Sequence, residues 1–565
     1  MGGTGGRHGV CDHAAMNEDT ASLPGRSRPL LWLLLWLLVG LGLRAAMAQA
    51  EADSVREWEA DGFVRAWEGW SWGAWNRMRP PGVLALLGAV GRLEGTSDIL
   101  GLRVACIGLS LFSLACGWAL VASLVRSLRL PSPSRLLGCA WLTAIWTLSP
   151  TLVEVGVRPL PEALLGGVAC LALAAGAAFG RNPSLLRTTL LAVALCGLLL
   201  VGGLVAALAV LAAALTWLAP VPRFRLALPF VLACVAAFAG AWRVQAGPAG
   251  SRSFMPDGAP AWSLAALLET PMALDASLPV DPDRRSLHVY AQALHQAREL
   301  GALRVAGAFG RRCVFEQLGP ARLAAHAGSA LPLSLLDALL RGGALFFALA
   351  TLGLARRTEE AAFPRAAVCV GVGALALLGV LLACSPFALA PVDLVVAALA
   401  AAGVCGSQPG RARVRWTAFL VGGGLMAWLV VSASLSGRQA TVWLQQLKHE
   451  TAQGARLVET LRAGGPRDLA GQLTAVALMV DAAAPFQRLP EAALRHAEAA
   501  VAAAPDQHQV LLALVRARME LLDLAGARDL ALSLVDDAGV PVPEARAYLD
   551  VIATTEQRLR EERLP

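Results

Sequence analysis

Five carboxylates crowd one short stretch: Glu51, Asp53, Glu57, Glu59 and Asp61. A carboxylate within hydrogen-bond reach of a hydroxyl or amine can take its proton as a general base. A tryptophan-rich run overlaps and follows the acids, Trp58, Trp67, Trp70, Trp72 and Trp75, and then comes Arg79-Pro80-Pro81. Tryptophan collects where protein meets the membrane interface, because its ring is apolar with one polar edge. A guanidinium placed there can hold a phosphate through charge-assisted hydrogen bonds. Together these residues suit a substrate with a lipid tail and a polar head. The plainer reading is an aromatic belt beside a solvated acidic loop.

Two more stretches carry candidate groups. In SPTLVEVGVRPLPEALLGG the acids Glu154 and Glu162 flank Arg158-Pro159. A charge near a membrane face is costly unless it serves a site or reaches water. Glu162 also follows Pro161, the pattern of a carboxylate on the first turn of a helix. Further on, residues 244–330 turn basic and aromatic, with His288, Tyr290, His295, Arg298, Arg304, Arg311 and Arg312. That patch suits a lipid phosphate, or it is only a solvated helical loop. His288 and His295 share a helix face by spacing, but two histidines without a third ligand argue poorly for a metal. No phosphate-cradling glycine loop, dinucleotide fingerprint or serine-nucleophile motif is present. The residues imply no cofactor, and a divalent cation stays open.

The elements that must position these groups are membrane spans. Of 565 residues, 56% are hydrophobic and 16% charged, against roughly 25% charged in soluble proteins. The expected fold is all-α and polytopic. A net charge of +7 reflects arginines flanking the membrane and is no nucleic-acid signal. Nine of the eleven cysteines fall in apolar stretches, all but Cys11 and Cys313, without paired spacing, so they read as small core residues.

Residues 1–28 read as a disordered cytoplasmic tail. The first apolar segment covers 29–48. Its end, AMAQA, also resembles a signal-peptidase site, but an uncleaved helix is preferred. Later apolar stretches near 99–125, 136–150, 161–180, 184–200, 201–218, 225–243, 331–355, 366–384, 387–405 and 416–434 each approach the ~20 residues that a crossing needs. About eleven spans result. Counted so, Arg126, Arg129, Arg135, Arg181, Arg187, Arg223, Arg225, Arg356, Arg357, Arg365, Arg411, Arg413 and Arg415 share one side, the positive-inside pattern. The acidic loop (49–98), the 244–330 segment and the C-terminal 435–565 then lie outside. Few charges lie inside the spans.

Acids, then an amphipathic stretch, then Arg79-Pro80-Pro81 and a short apolar helix resemble the first external loop of the GT-C superfamily of membrane glycosyltransferases. That superfamily includes protein mannosyltransferases, aminoarabinose lipid A transferases and RgtA-type enzymes. Pro150, Arg158-Pro159 and Glu162-Ala163-Leu164 resemble its second recurrent signature. The two cover roughly residues 49–180. The resemblance implies transfer of a sugar from a polyprenyl-phosphate carrier to an acceptor at the outer face of the bacterial inner membrane. It implies a loop acid as base, with Asp61 first, then Glu59 and Glu57. Arg79, Arg158, Arg311 and Arg312 become the lipid-phosphate candidates, with Glu162, His288 and Tyr290 in support. The family's paired Asp-Glu is absent, since Gly62 follows Asp61.

The stretch from Leu489 to Gly539 resembles tetratricopeptide repeats, with small residues Ala497, Ala500, Ala504 and Ala531, Pro505 after one helix and Gly526 at a helix–helix turn. The expected partners are a lipid-linked donor, membrane lipids and a protein docked on these helices, with no nucleic acid. Two other classes stay open. One is an O-antigen ligase or polymerase, which would centre on arginines in the large loop. The other is a non-catalytic assembly factor working through its repeats. A transporter would show broken helices with charges at the midplane.

Overall fold

In the computed structural model, the residues described are 24–50, 99–127, 135–159, 162–181, 184–198, 201, 282–311, 330–354, 389–405, 409–435, 469–480, 490–536 and 542–563. Among them every regular element is a helix. In hydrocarbon each backbone N–H and C=O must be satisfied within its own segment, and a helix does this for an apolar run.

The apolar half of the chain forms α1 (Pro24–Ala50), α2 (Ile99–Ser127), α3 (Arg135–Leu148), α4 (Pro150–Val155), α5 (Glu162–Arg181), α6 (Leu185–Leu198), α8 (Ala330–Leu354), α9 (Ala390–Val404) and α10 (Pro409–Leu435). The helix α7 (Pro282–Arg311) precedes α8. Among the described residues five helices are long and apolar enough to cross a membrane, those within α1, α2, α5, α8 and α10. The chain is therefore a polytopic membrane protein. The expected spans at 201–218, 225–243 and 366–384 lie outside the described residues. Leucines on the bundle's rim stay open, such as Leu38 at 68%, Leu186 at 71% and Leu420 at 70% exposure, the faces that lipid would cover.

Small residues let the helices approach. Ser113 of α2 donates to the Ala163 carbonyl of α5 at 2.6 Å, and Ser123 donates to the Ala174 carbonyl at 3.3 Å. Both contacts advance together, so α2 and α5 run parallel. Between them in sequence, α3 runs antiparallel to α2, with Trp146 against Ser110 and Thr143 against Trp118. Gly342 of α8 packs directly on Gly422 of α10, the close backbone approach that small residues permit in membranes. Thr351 of α8 meets Gly403 of α9, and Arg341 meets Asp393, so α8 and α9 are parallel. The sequence places one span, 366–384, between them.

α3 has 14 residues, about 21 Å of rise, which is short of the ~30 Å hydrocarbon layer. The chain does not simply exit there. Ser149 caps a new short helix, α4, its side chain accepting from the Leu152 N–H, with Pro150 at the first helical position. A turn follows through Gly156 and Val157, and the whole of 154–159 is buried.

The C-terminal helices are α11 (Leu469–Met479), α12 (Pro490–Ala503), α13 (His508–Glu520), α14 (Leu524–Asp536) and α15 (Pro543–Arg563). From α11 onward each packs on the next, and α13 also touches α11 and α15. Of the expected small residues, Ala497 and Ala500 of α12 and Ala531 of α14 are fully enclosed, while Ala504 lies just past α12 and is half-buried. The connection at 521–523 turns on Leu522, whose φ of 60° is left-handed. Gly526 was expected at that turn but sits inside the first turn of α14, its N–H donating to Asp523 at 3.1 Å.

Candidate functional site

A continuous buried polar layer joins the C-terminal end of α1, the end of α3, α4 and its turn, and the beginnings of α8 and α9. Three sets of contacts build it.

Arg44, 0% exposed, comes from α1. Its guanidinium donates to the Gly40 carbonyl at 3.1 Å, to Trp146 at 3.0 Å and to Leu152 at 2.9 Å. It also lies 3.3 Å from the centre of a Trp146 ring, a stacked cation–π arrangement that suits the planar guanidinium. Arg44 thus closes one carbonyl in the last turn of α3 and one of α4. Gly156 packs against the same guanidinium and against Ser110, and a β-carbon there would fall 2.7 Å from Arg44 Nε.

The second set is Glu154 with Arg158. Arg158, also 0% exposed, donates to Glu154 Oε1 at 2.9 Å across one helical turn. This arginine belongs to the second sequence signature. The structure encloses it beside an acid of the same segment.

The third set is Asp337 and Arg341 of α8 with Asp393 of α9. Asp337, 1% exposed, accepts from Ser149 Oγ at 3.0 Å, from the Thr151 N–H at 3.3 Å and from Thr151 Oγ1 at 2.6 Å. Arg341 Nε stands 3.4 Å from Asp337 Oδ2, and its Nη2 donates to Asp393. The expectation of few charges within the spans gives way here. Arg44, Asp337, Arg341 and Asp393 all lie on apolar helices, bonded to one another or to freed carbonyls. One signal for them was in the sequence. An acid and an arginine four apart inside an apolar run, Asp337 and Arg341, can pair on one helix face.

The other expected site residues are scattered. Glu162 opens α5, half-buried, as the helix-start reading has it. His288 lies on α7 with a ring nitrogen 2.9 Å from Gln292 Nε2, and His295 stands 3.5 Å from Glu299 in the open. Gly301, at φ 75° and ψ 159°, breaks α7, so residues on either side of it do not share one continuous face. Tyr290 and Arg311 fall on α7, Arg311 as its last residue. Glu57, Glu59, Asp61, Arg79 and Arg312 lie outside the described residues. Among the described residues, no three His, Cys, Asp or Glu side chains converge as a metal site.

No protein-family model matches the chain, and no curated protein does. Solved structures similar to it include two of one protein. One is ArnT from Cupriavidus metallidurans in the apo state, at 13% identity and a TM-score of 0.39, covering 90% of this chain and 80% of that one. The other is the same protein bound to undecaprenyl phosphate, at 13% identity and a TM-score of 0.40, covering 92% and 84%.

Proposed function

We propose that the chain is a membrane glycosyltransferase of the GT-C type, moving a sugar from a polyprenyl-phosphate donor to a hydroxyl or amine acceptor at the outer face of the bacterial inner membrane. One observation carries the reading. Most of the second signature, Pro150 to Pro159, is bonded into a buried layer of charge at the end of the bundle where the acidic first loop begins. Buried charge in a membrane protein is expensive, and it marks a working site more often than a structural one.

In this reading the acceptor's oxygen or nitrogen attacks the anomeric carbon. The bond from that carbon to the phosphate oxygen breaks, and polyprenyl phosphate leaves carrying the electron pair. Because the leaving group is a phosphate, it needs positive charge rather than a proton. Arg79, Arg158, Arg311 and Arg312 are the arginines proposed to supply it. The acceptor's proton goes to a carboxylate of the first loop, Asp61 before Glu59 and Glu57. Glu162, His288 and Tyr290 have supporting parts. Arg158 takes a part in holding Glu154 within the site wall. The soluble helices from 435 onward serve as a docking surface of tetratricopeptide type.

The test is sugar transfer in membranes supplied with a polyprenyl-phosphate-sugar pool, for Asp61→Asn, Glu59→Gln and Glu57→Gln. One of the three should lose about a hundredfold or more in rate at unchanged protein level, the usual contribution of a positioned base. Equal transfer by all three would take the acidic loop out of the chemistry. An inactive parent protein would leave the assembly-factor reading, with the C-terminal helices as its working part.

A further inference from the structure

Helix α4 has only six residues and lies among α1, α3, α5, α8 and α9. Something outside it must set where Glu154 and Arg158 stand. Asp337 grips this segment at two points. Its Oδ1 takes the Ser149 hydroxyl and the Thr151 N–H, and its Oδ2 takes the Thr151 hydroxyl. Sliding or rotating α4 by one residue would break all three bonds together. Behind Asp337, Arg341 leans on the same carboxylate and reaches across to Asp393, tying the grip to α9.

We propose that Asp337, braced by Arg341 and Asp393, is a positioning residue that sets the register of α4 and so orients the Glu154–Arg158 pair. Its functional half rests on the glycosyltransferase reading, and its geometric half does not. Simple adhesion between α4 and α8 would not need these groups. A well-packed apolar contact holds two elements as firmly as a buried ion pair and avoids desolvating charge. A carboxylate with assigned donors on each oxygen gives direction instead, since hydrogen bonds weaken steeply with angle.

The experiment reads the position of the turn directly. Val157, 0% exposed, is replaced in Val157→Cys, and the full-length protein is treated with a water-soluble maleimide. Native Cys170, also 0% exposed, reports on general unfolding in the same molecule. Labelling at position 157 should be slow, and about tenfold faster when Asp337→Asn or Thr151→Val is added, the shift expected from one lost buried hydrogen bond. Cys170 should stay unlabelled. The turnover number for transfer should fall in the same variants, with the donor's KM moving less. Should Asp337→Asn fail to accumulate, Thr151→Val decides, because it keeps shape and removes one bond.

Unchanged labelling in the variants overturns the clamp. Labelling of Cys170 alongside position 157 overturns it too, by showing general loosening. Faster labelling with transfer unaltered keeps the register claim and overturns its catalytic relevance. Faster labelling in a protein whose parent transfers nothing sinks the glycosyltransferase reading and leaves the clamp standing.

Discussion

Arg44 and Arg158 are both sealed from solvent, yet they are held by different means. Arg44 spends its donors on three carbonyls and its face on Trp146. Lysine has the charge but neither the fork nor the flat face. Arg44→Lys should therefore destabilise the protein by about 2–4 kcal/mol, the scale of lost charge-assisted bonds in a buried site, seen as a lower unfolding temperature in detergent. Arg158 answers instead to one acid on its own segment. Arg158→Leu should cost roughly 3–5 kcal/mol, because Glu154 is left buried opposite an apolar group. The double change Arg158→Leu with Glu154→Leu should recover a large part of that loss. A double-mutant cycle with no coupling would show that the pair is not a unit.

At the scale of the helix, backbone approach and turn geometry decide what a position tolerates. Gly342 faces Gly422 and Met426 with no room for a β-carbon, whereas Gly424 on α10 meets nothing within 4 Å. Gly342→Ala should lower the yield of folded protein and Gly424→Ala should not, by size-exclusion chromatography in detergent. Leu522 pays for a left-handed φ of 60°, a conformation that costs an ordinary side chain on the order of 1 kcal/mol. Leu522→Gly should raise the stability of the α13–α14 hairpin by up to that amount, measured by thermal melting.

These elements were legible to different degrees. Apolar runs of span length predicted α2, α5 and α8 to within two residues and placed α1 and α10 with starts five and seven residues late, because a helix is what an apolar chain must form in hydrocarbon. Arg158-Pro159 was visible as a motif. The partners of Asp337 were not, since Ser149 lies 188 residues away and one acid in an apolar run has no period. Arg44 reads in sequence as a charge near the end of a span. Only the meeting of α1 with α3 and α4 turns it into a structural ligand. The turn at Leu522 was misplaced onto Gly526 because glycine is the usual left-handed residue, and here leucine takes the strain.

For the whole molecule, α1 is the informative piece. It offers most of its surface outward, as its exposed leucines show, yet it is knitted into the bundle. Gly40 packs on Trp146 and Thr147, Thr147 donates to the Trp36 carbonyl at 2.9 Å, and Ala48 is 1% exposed. Cleavage after AMAQA would free a helix whose Arg44 closes three carbonyls. Mass analysis of the purified protein should therefore find residues 29–50 still attached. A mature N-terminus at Glu51 would refute that.

The span between Ser149 and Asp337 also has a bearing on how the protein is made. The ribosome delivers α4 and its buried charges long before it delivers α8. Until then Ser149 and Thr151 have no carboxylate to bind, and the Glu154–Arg158 turn rests in a half-built bundle. Assembly is therefore completed late and from a distance, and the eighth described helix acts as a keystone. An interrupted chain ending before residue 330 would present an unlocked polar segment inside the membrane. Such a chain is what a membrane quality-control protease could recognise, so its lifetime in the cell should be short.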